Sequence, residues 1–178
     1  MMKKVLLSVF VLLLTVSLVH AQYQPGKNTL GAVIGFGSGS LPGSDGMPLT
    51  VEYNFLNIID KQVHFGVLGG FASTSEDFHW GWGKGSYRYT NFILAAQANY
   101  HFLSGNKFDP FAGLALGFNF ASASWSWDSG SGASPSASSS DIFWDLQVGC
   151  NYWFSPKWAM SVRLGYFPYF GIGVMAAL

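Results

Sequence analysis

The sequence predicts an all-β fold, an eight-stranded antiparallel up-and-down transmembrane β-barrel. Three observations carry it: eight segments alternate apolar with small or polar residues at a period of two, the charges inside them fall on the non-apolar face, and the connections alternate between short and long. Composition agrees. Charged residues are 10% of the chain and aromatic residues 17%, whereas about a quarter of an ordinary soluble domain is charged. Yet beyond the N-terminal region no apolar run approaches the ~20 residues of a membrane helix. Alternation reconciles the two, because only every second residue of a barrel strand meets lipid.

The N-terminus sets the compartment. Met1-Met2-Lys3-Lys4 is a basic start, Val5 to Val19 is a largely apolar run, and Val19-His20-Ala21 is a small-residue cleavage pattern ahead of Gln22. The run is too short for a membrane helix and is interrupted by Ser8, Thr15 and Ser17. Residues 1–21 are therefore expected to be a cleaved signal peptide and residues 22–178 an outer-membrane β-barrel domain. Removing Lys3 and Lys4 from the nine basic residues leaves seven against nine acidic ones, a net charge of −2. That balance excludes an electrostatic nucleic-acid partner.

The eight segments follow in order. Leu30, Ala32, Ile34 and Phe36 face outward in the first, and Leu49, Val51, Tyr53 and Phe55 in the second, with Glu52 inward. Val63, Phe65, Val67 and Phe71 face outward in the third, and Phe92 to Phe102, on even positions, in the fourth. The fifth presents Ala112, Leu114, Leu116, Phe118 and Phe120; the sixth presents Ile142 to Phe154 on even positions, with Asp145 inward. Trp158, Met160, Val162 and Leu164 mark the seventh, with Arg163 inward, and Phe170, Ile172, Val174, Ala176 and Leu178 the last. No charge lies on the apolar face, where Arg or Lys at the bilayer midplane costs about 2–4 kcal/mol. Backbone groups in hydrocarbon need internal partners, so the strands close into a ring.

The connections Leu56 to Lys61, Leu103 to Lys107 and Ser155 to Lys157 are short and flanked by aromatic residues, as at a periplasmic interface. Ser38 to Gly46, Ser73 to Ser86 and Ser122 to Ser140 are longer and are expected to be extracellular loops; Phe167-Pro168-Tyr169 is a tight fourth turn.

With these segments in place, the mature chain resembles the small eight-stranded outer-membrane barrels typified by OmpX and the OmpA membrane domain. Asn151-Tyr152-Trp153-Phe154-Ser155-Pro156-Lys157-Trp158, Arg163-Leu164-Gly165-Tyr166 and Gly171-Ile172-Gly173-Val174 are its most family-like pieces. The resemblance implies a place in the outer membrane of a Gram-negative cell, in contact with outer-membrane lipid, lipopolysaccharide and the barrel assembly machinery. Such barrels usually end in an aromatic residue read by that machinery, where this sequence has Leu178. The group's functions range from adhesion and envelope integrity to lipid modification, so the fold selects none of them.

Candidate chemistry is sparse. Cys150 is alone and outward in parity, which suits a small apolar side chain. His64 and His101 are inward, but the expected pairing sets His64 near Gln97 and leaves His101 roughly 13 Å away. No metal and no cofactor is expected. Ser75, Glu76, Asp77 and His79 offer a base and carboxylates for a lipid A-modifying enzyme, the alternative function, but a long loop does not hold them within hydrogen-bond reach; the expectation is no enzyme. An eight-stranded lumen fills with side chains and makes no diffusion pore. Its charge network is Glu52, Asp145 and Arg163. Arg163 is expected beside Gly149 and Gly173, paired with Glu52, with Asp145 as second choice. For a surface ligand the candidates are Trp80, Trp82, Lys84 and Arg88 in the second loop and Trp125 and Trp127 in the third, rigid rings among Ser and Gly as in evolved binding loops. The leading expectation is a non-catalytic barrel, structural or adhesive.

Overall fold

The computed structural model describes residues 27–37, 46–80, 83–127 and 135–178. The expected signal peptide, most of the first long connection and Trp82 lie outside the described residues. Eight antiparallel strands close in chain order into a barrel: β1 Thr29–Phe36, β2 Leu49–Ile58, β3 Val63–Trp80, β4 Gly83–His101, β5 Phe108–Trp127, β6 Ser136–Trp153, β7 Trp158–Leu164 and β8 Phe170–Ala177. Closure comes from β1 lying beside β8, Thr29 opposite Ala177 through Phe36 opposite Phe170.

Burial follows the alternation. β1 and β7 alternate strictly between buried and exposed residues, and the even positions of β4, β5 and β6 look outward. Two rings of aromatic side chains bracket the outward apolar band. Tyr100 meets Phe102 and Phe108 meets Tyr152 at the lower rim; Phe36 meets Phe170, Phe92 meets Phe120 and Trp144 meets Tyr166 at the upper. On β4 the segment from Phe92 to Tyr100 has the nine or so residues a tilted strand needs to cross a bilayer.

The structure corrects three expectations. A bulge between Asn54 and Leu56 lets β2 continue to Ile58, so Leu56 faces outward with Phe55 and the turn shrinks to a few residues after Ile58. In that turn Ile59, Asp60 and Lys61 take left-handed φ values of 51°, 50° and 66°. The fifth strand begins at Phe108 rather than Ala112 and so brings Asp109 inside. Pro110 is tolerated because its missing N–H falls at the end of the β4–β5 ladder, whose register stops at Phe111.

The third correction is the largest. The expected second and third loops are mostly strand: β3 pairs with β4 as far as Trp80 opposite Gly83, and β5 with β6 as far as Ser124 opposite Ser136. The four central strands are 18, 19, 20 and 18 residues long. At about 3.3 Å per residue that is about twice what the membrane uses. Their upper halves therefore stand beyond the rim as a four-stranded sheet. Ser73, Ser75, Arg88, Thr90, Ser122, Ser124, Ser138 and Ser140 continue the outward face; Phe78, Tyr87, Tyr89 and Trp125 continue the inward one.

This boundary between membrane and sheet gives a direct test. Leu146 and Ser138 lie on the same face of β6, and both are exposed. Leu146→Arg is expected to cost about 2–4 kcal/mol in unfolding from lipid bilayers, whereas Ser138→Arg is expected to stay within about 0.5 kcal/mol. Equal costs in urea titrations would place the apolar band elsewhere.

Candidate functional site

The lumen is stratified. Leu68, Ile93, Ala95, Ala115, Phe143 and Phe167 pack as an apolar cluster in its outer half, and Trp153, Ala159, Met175 and Ala177 as another at its periplasmic end. Between them lies a polar layer centred on Arg163. Its Nη1 and Nη2 donate to the two Glu52 carboxylate oxygens at 2.9 and 3.0 Å, a two-pronged contact between β7 and β2. Nη1 also donates to Gln147 Oε1 at 3.2 Å. Gln97 donates to Glu52 at 3.2 Å and to Asn54 at 2.8 Å, and Gln147 to Asn99 at 3.1 Å. Charged fork-to-fork pairing is the geometry a guanidinium favours.

Room for the guanidinium comes from neighbours without side chains. Arg163 lies opposite Gly149 on β6 and Gly171 on β8, with its Cζ 5.8 Å from the centre of the Phe111 ring. The partner on β8 is Gly171 rather than the expected Gly173, because the β7–β8 turn centres on Phe167 and shifts the register by two. A Cβ at Gly149 would fall 2.6 Å from the Phe111 ring, and one at Gly171 2.6 Å from Val33.

Asp145 takes another role. Its Oδ1 accepts from the backbone N–H of Tyr166 at 2.6 Å and of Phe167 at 3.4 Å, so it fastens the tight β7–β8 turn. The histidines also differ from expectation. His64 lies opposite Asn99, not Gln97, because β3 and β4 run on to a turn centred beyond Trp80. His64 and His101 are thereby diagonal neighbours, with ring centroids 4.1 Å apart instead of roughly 13 Å. Asp109, hidden in the sequence by the adjacent Pro110, binds His101 at 2.8 Å. Its odd parity, shared with Phe111 and Asn119, was the available signal.

On the protruding sheet, Trp125 packs against Tyr87 at 4.0 Å and Phe78 at 6.1 Å, and Tyr87 against Tyr89 at 6.0 Å. Lys84 and Arg88 lie on β4 at the opposite parity, hence on the other face from Trp125. Trp80 and Trp127 end β3 and β5. Ser75, Asp77 and His79 share the outward face of β3 while Glu76 has the inward parity, and among the described residues none hydrogen-bonds another.

The buried pair sets a thermodynamic expectation. Arg163→Met or Glu52→Gln alone leaves a buried group without its mate and is expected to cost about 3–5 kcal/mol, while the double substitution is expected to cost far less than the sum. Urea unfolding in lipid measures this, and strict additivity would deny the coupling.

A family model described as the outer membrane protein beta-barrel domain matches residues 6–174. Among solved structures, Neisserial surface protein A is similar at 17% identity over 85% of this chain and 96% of that one, with a TM-score of 0.56. The N-terminal β-barrel domain of Pseudomonas aeruginosa OprF is similar at 13% identity over 87% and 100%, with a TM-score of 0.51. The attachment invasion locus protein Ail of Yersinia pestis is similar at 15% identity over 84% and 91%, with a TM-score of 0.47. For Neisserial surface protein A and the OprF domain, at these identities, the likeness is one of fold. No curated protein matches the chain. The closed eight-stranded ring with its apolar outer band and polar lumen, together with the match over nearly the whole length, makes this chain a member of the outer membrane protein beta-barrel domain family, integral to the outer membrane.

Proposed function

We propose that the protein is a non-catalytic surface barrel whose protruding sheet presents a binding face for adhesion. The observation that carries this reading is the contact cluster of Phe78, Tyr87, Tyr89 and Trp125 on the inward face of strands raised above the membrane. Rigid rings on a paired sheet offer contact area at little entropic cost, which a flexible loop does not. Such a cluster is not needed to close the barrel below it.

The opposite face suits a different neighbour. Its hydroxyls, with Lys84 and Arg88, rise directly from the lipid-facing Phe92 and Phe120, at the level of lipopolysaccharide headgroups. Cations there meet phosphate groups in charge-assisted hydrogen bonds. The barrel assembly machinery is the further partner this reading includes. The lipid A-modifying alternative is disfavoured because Ser75, Asp77 and His79, though they share one face of β3, make no hydrogen bond with one another, and acid–base work needs its groups in hydrogen-bond reach.

Replacing Trp80, Trp82, Trp125 and Trp127 with Ser is expected to leave the heat-modifiable folded band on gels intact and to reduce whole-cell adherence at least about tenfold, the effect of losing ~1.4 kcal/mol of contact. Loss of the folded band would show the rings to be part of the barrel instead. Lipid A from cells with and without the gene is expected to give identical mass spectra. A new acyl or headgroup species dependent on the gene would establish the enzyme.

A further inference from the structure

Below the Glu52–Arg163 layer lies a second ionisable cluster that the proposed function does not use. His64 on β3 and His101 on β4 are 2% and 5% exposed and lie ring against ring at 4.1 Å. Asp109 on β5, 1% exposed, holds His101 Nδ1 at 2.8 Å. On its other side His64 Nε2 lies 3.2 Å from the carbonyl oxygen of Lys61, which only accepts, so Nε2 carries a proton. The same carbonyl accepts from Ser104 Oγ at 2.9 Å, tying the β2–β3 turn to the β4–β5 turn.

That turn is under strain. Ile59, Asp60 and Lys61 are three successive residues other than glycine at φ 51°, 50° and 66°, and a β-branched side chain in the left-handed region is a rare outlier. Strain of this kind persists only where surrounding contacts over-determine it, and here two of those contacts converge on the Lys61 carbonyl.

The cluster has little capacity for positive charge. The cavity beside it, about 10 Å³, has room for about one water. The charged groups around the two imidazoles are few. Glu52 enters from β2 but is engaged by Arg163 from β7, and Asp109 enters from β5. β1, β6 and β8 contribute Thr29, Asn151, Trp153 and Met175, none of them charged. Asp109 therefore neutralises one imidazolium and nothing neutralises a second. We propose that the contacting His64–His101 pair is an acid-released latch: it holds the strained Ile59–Lys61 turn while one ring is neutral, and lets go when both rings are protonated. A protonated His64 alone would still donate to Lys61, so release comes from repulsion by His101. Release comes with the second of two coupled protonations, so the turn is held at neutral pH and freed in acid.

The test is hydrogen exchange of the full mature protein in lipid nanodiscs at pH 7.5 and pH 3.5, corrected for intrinsic exchange rates. The reporter is the Gln62 amide, which donates to Ile59 across the turn at 3.0 Å. In the wild type its protection is expected to fall at least tenfold on acidification. In His101→Asn/Asp109→Asn, which removes the opposing cation and its counter-ion together, protection is expected to be equal at both pH values. Unchanged protection in the wild type, or an equal fall in the double variant, would overturn the latch. Should the variant fail to fold, imidazole NMR of the wild type decides: the two rings are expected to titrate in separate, coupled steps with the turn amides shifting in the second, and independent titration with static turn amides would overturn it.

Discussion

In hydrocarbon a peptide group has no water to bond to, so each N–H and C=O of a spanning strand depends on the strand beside it. Every strand here has two neighbours across the apolar band, and the ladder between β1 and β8 removes the last edge. The rest of the interior follows from that closure. Eight strands enclose a lumen only as wide as side chains can fill, so inward positions divide between residues that reach across and residues that make way. Gly113 shows the second kind: a Cβ there would collide with the Asn99 amide and lie 3.1 Å from Gln147.

Above the rim the constraint lapses, and the strands change character. β1, β2, β7 and β8 stop near the membrane, while β3 to β6 continue. With water on both sides, neither face needs to be uniformly apolar. One carries a field of Ser and Thr beside Arg88, the other the contacting rings of Tyr87 and Trp125. Pairing still satisfies the backbone, and it makes the raised segment a firm platform where sequence composition alone suggested loops.

That change of solvent explains what the sequence disclosed and what it withheld. Where one face meets lipid, hydrophobic contrast marks the strand, and Leu30 to Phe36 or Trp158 to Leu164 were legible residue by residue. From Ser122 to Trp127 Ser alternates with Ala or Trp, but with the polar residues now outward and the apolar ones inward, the reverse of the membrane band, and a pattern keyed to a lipid-facing apolar side reads that stretch as loop. The site was limited by register. Glu52 and Arg163 could be matched by depth from their nearby periplasmic turns, but the His64–Asn99 pairing is set at the far end of a long hairpin, and an error of one residue in the turn centre moves the pairing by two. At Leu56 the signal was present yet misread, because a bulge places two adjacent apolar residues on the same side.

A polar lumen looks wasteful in a chain that must be stable in lipid, since apolar packing of equal volume often stabilises as well as a buried ion pair does. Register supplies a reason for it. Strand side chains repeat every two residues, so a slip of one would exchange lumen for lipid along a whole strand. If both faces were apolar, the slipped barrel would be nearly as good as the native one. Here a slip of β2, β5, β6 or β7 would carry Glu52, Asp109, Asp145 or Arg163 into hydrocarbon. Each charge also has a partner that only one register provides: Arg163 for Glu52, His101 for Asp109, and the turn amides of Tyr166 and Phe167 for Asp145. The buried charges thus act against misregistered barrels as much as in favour of the native one, and they are distributed so that four of the eight strands carry such a marker.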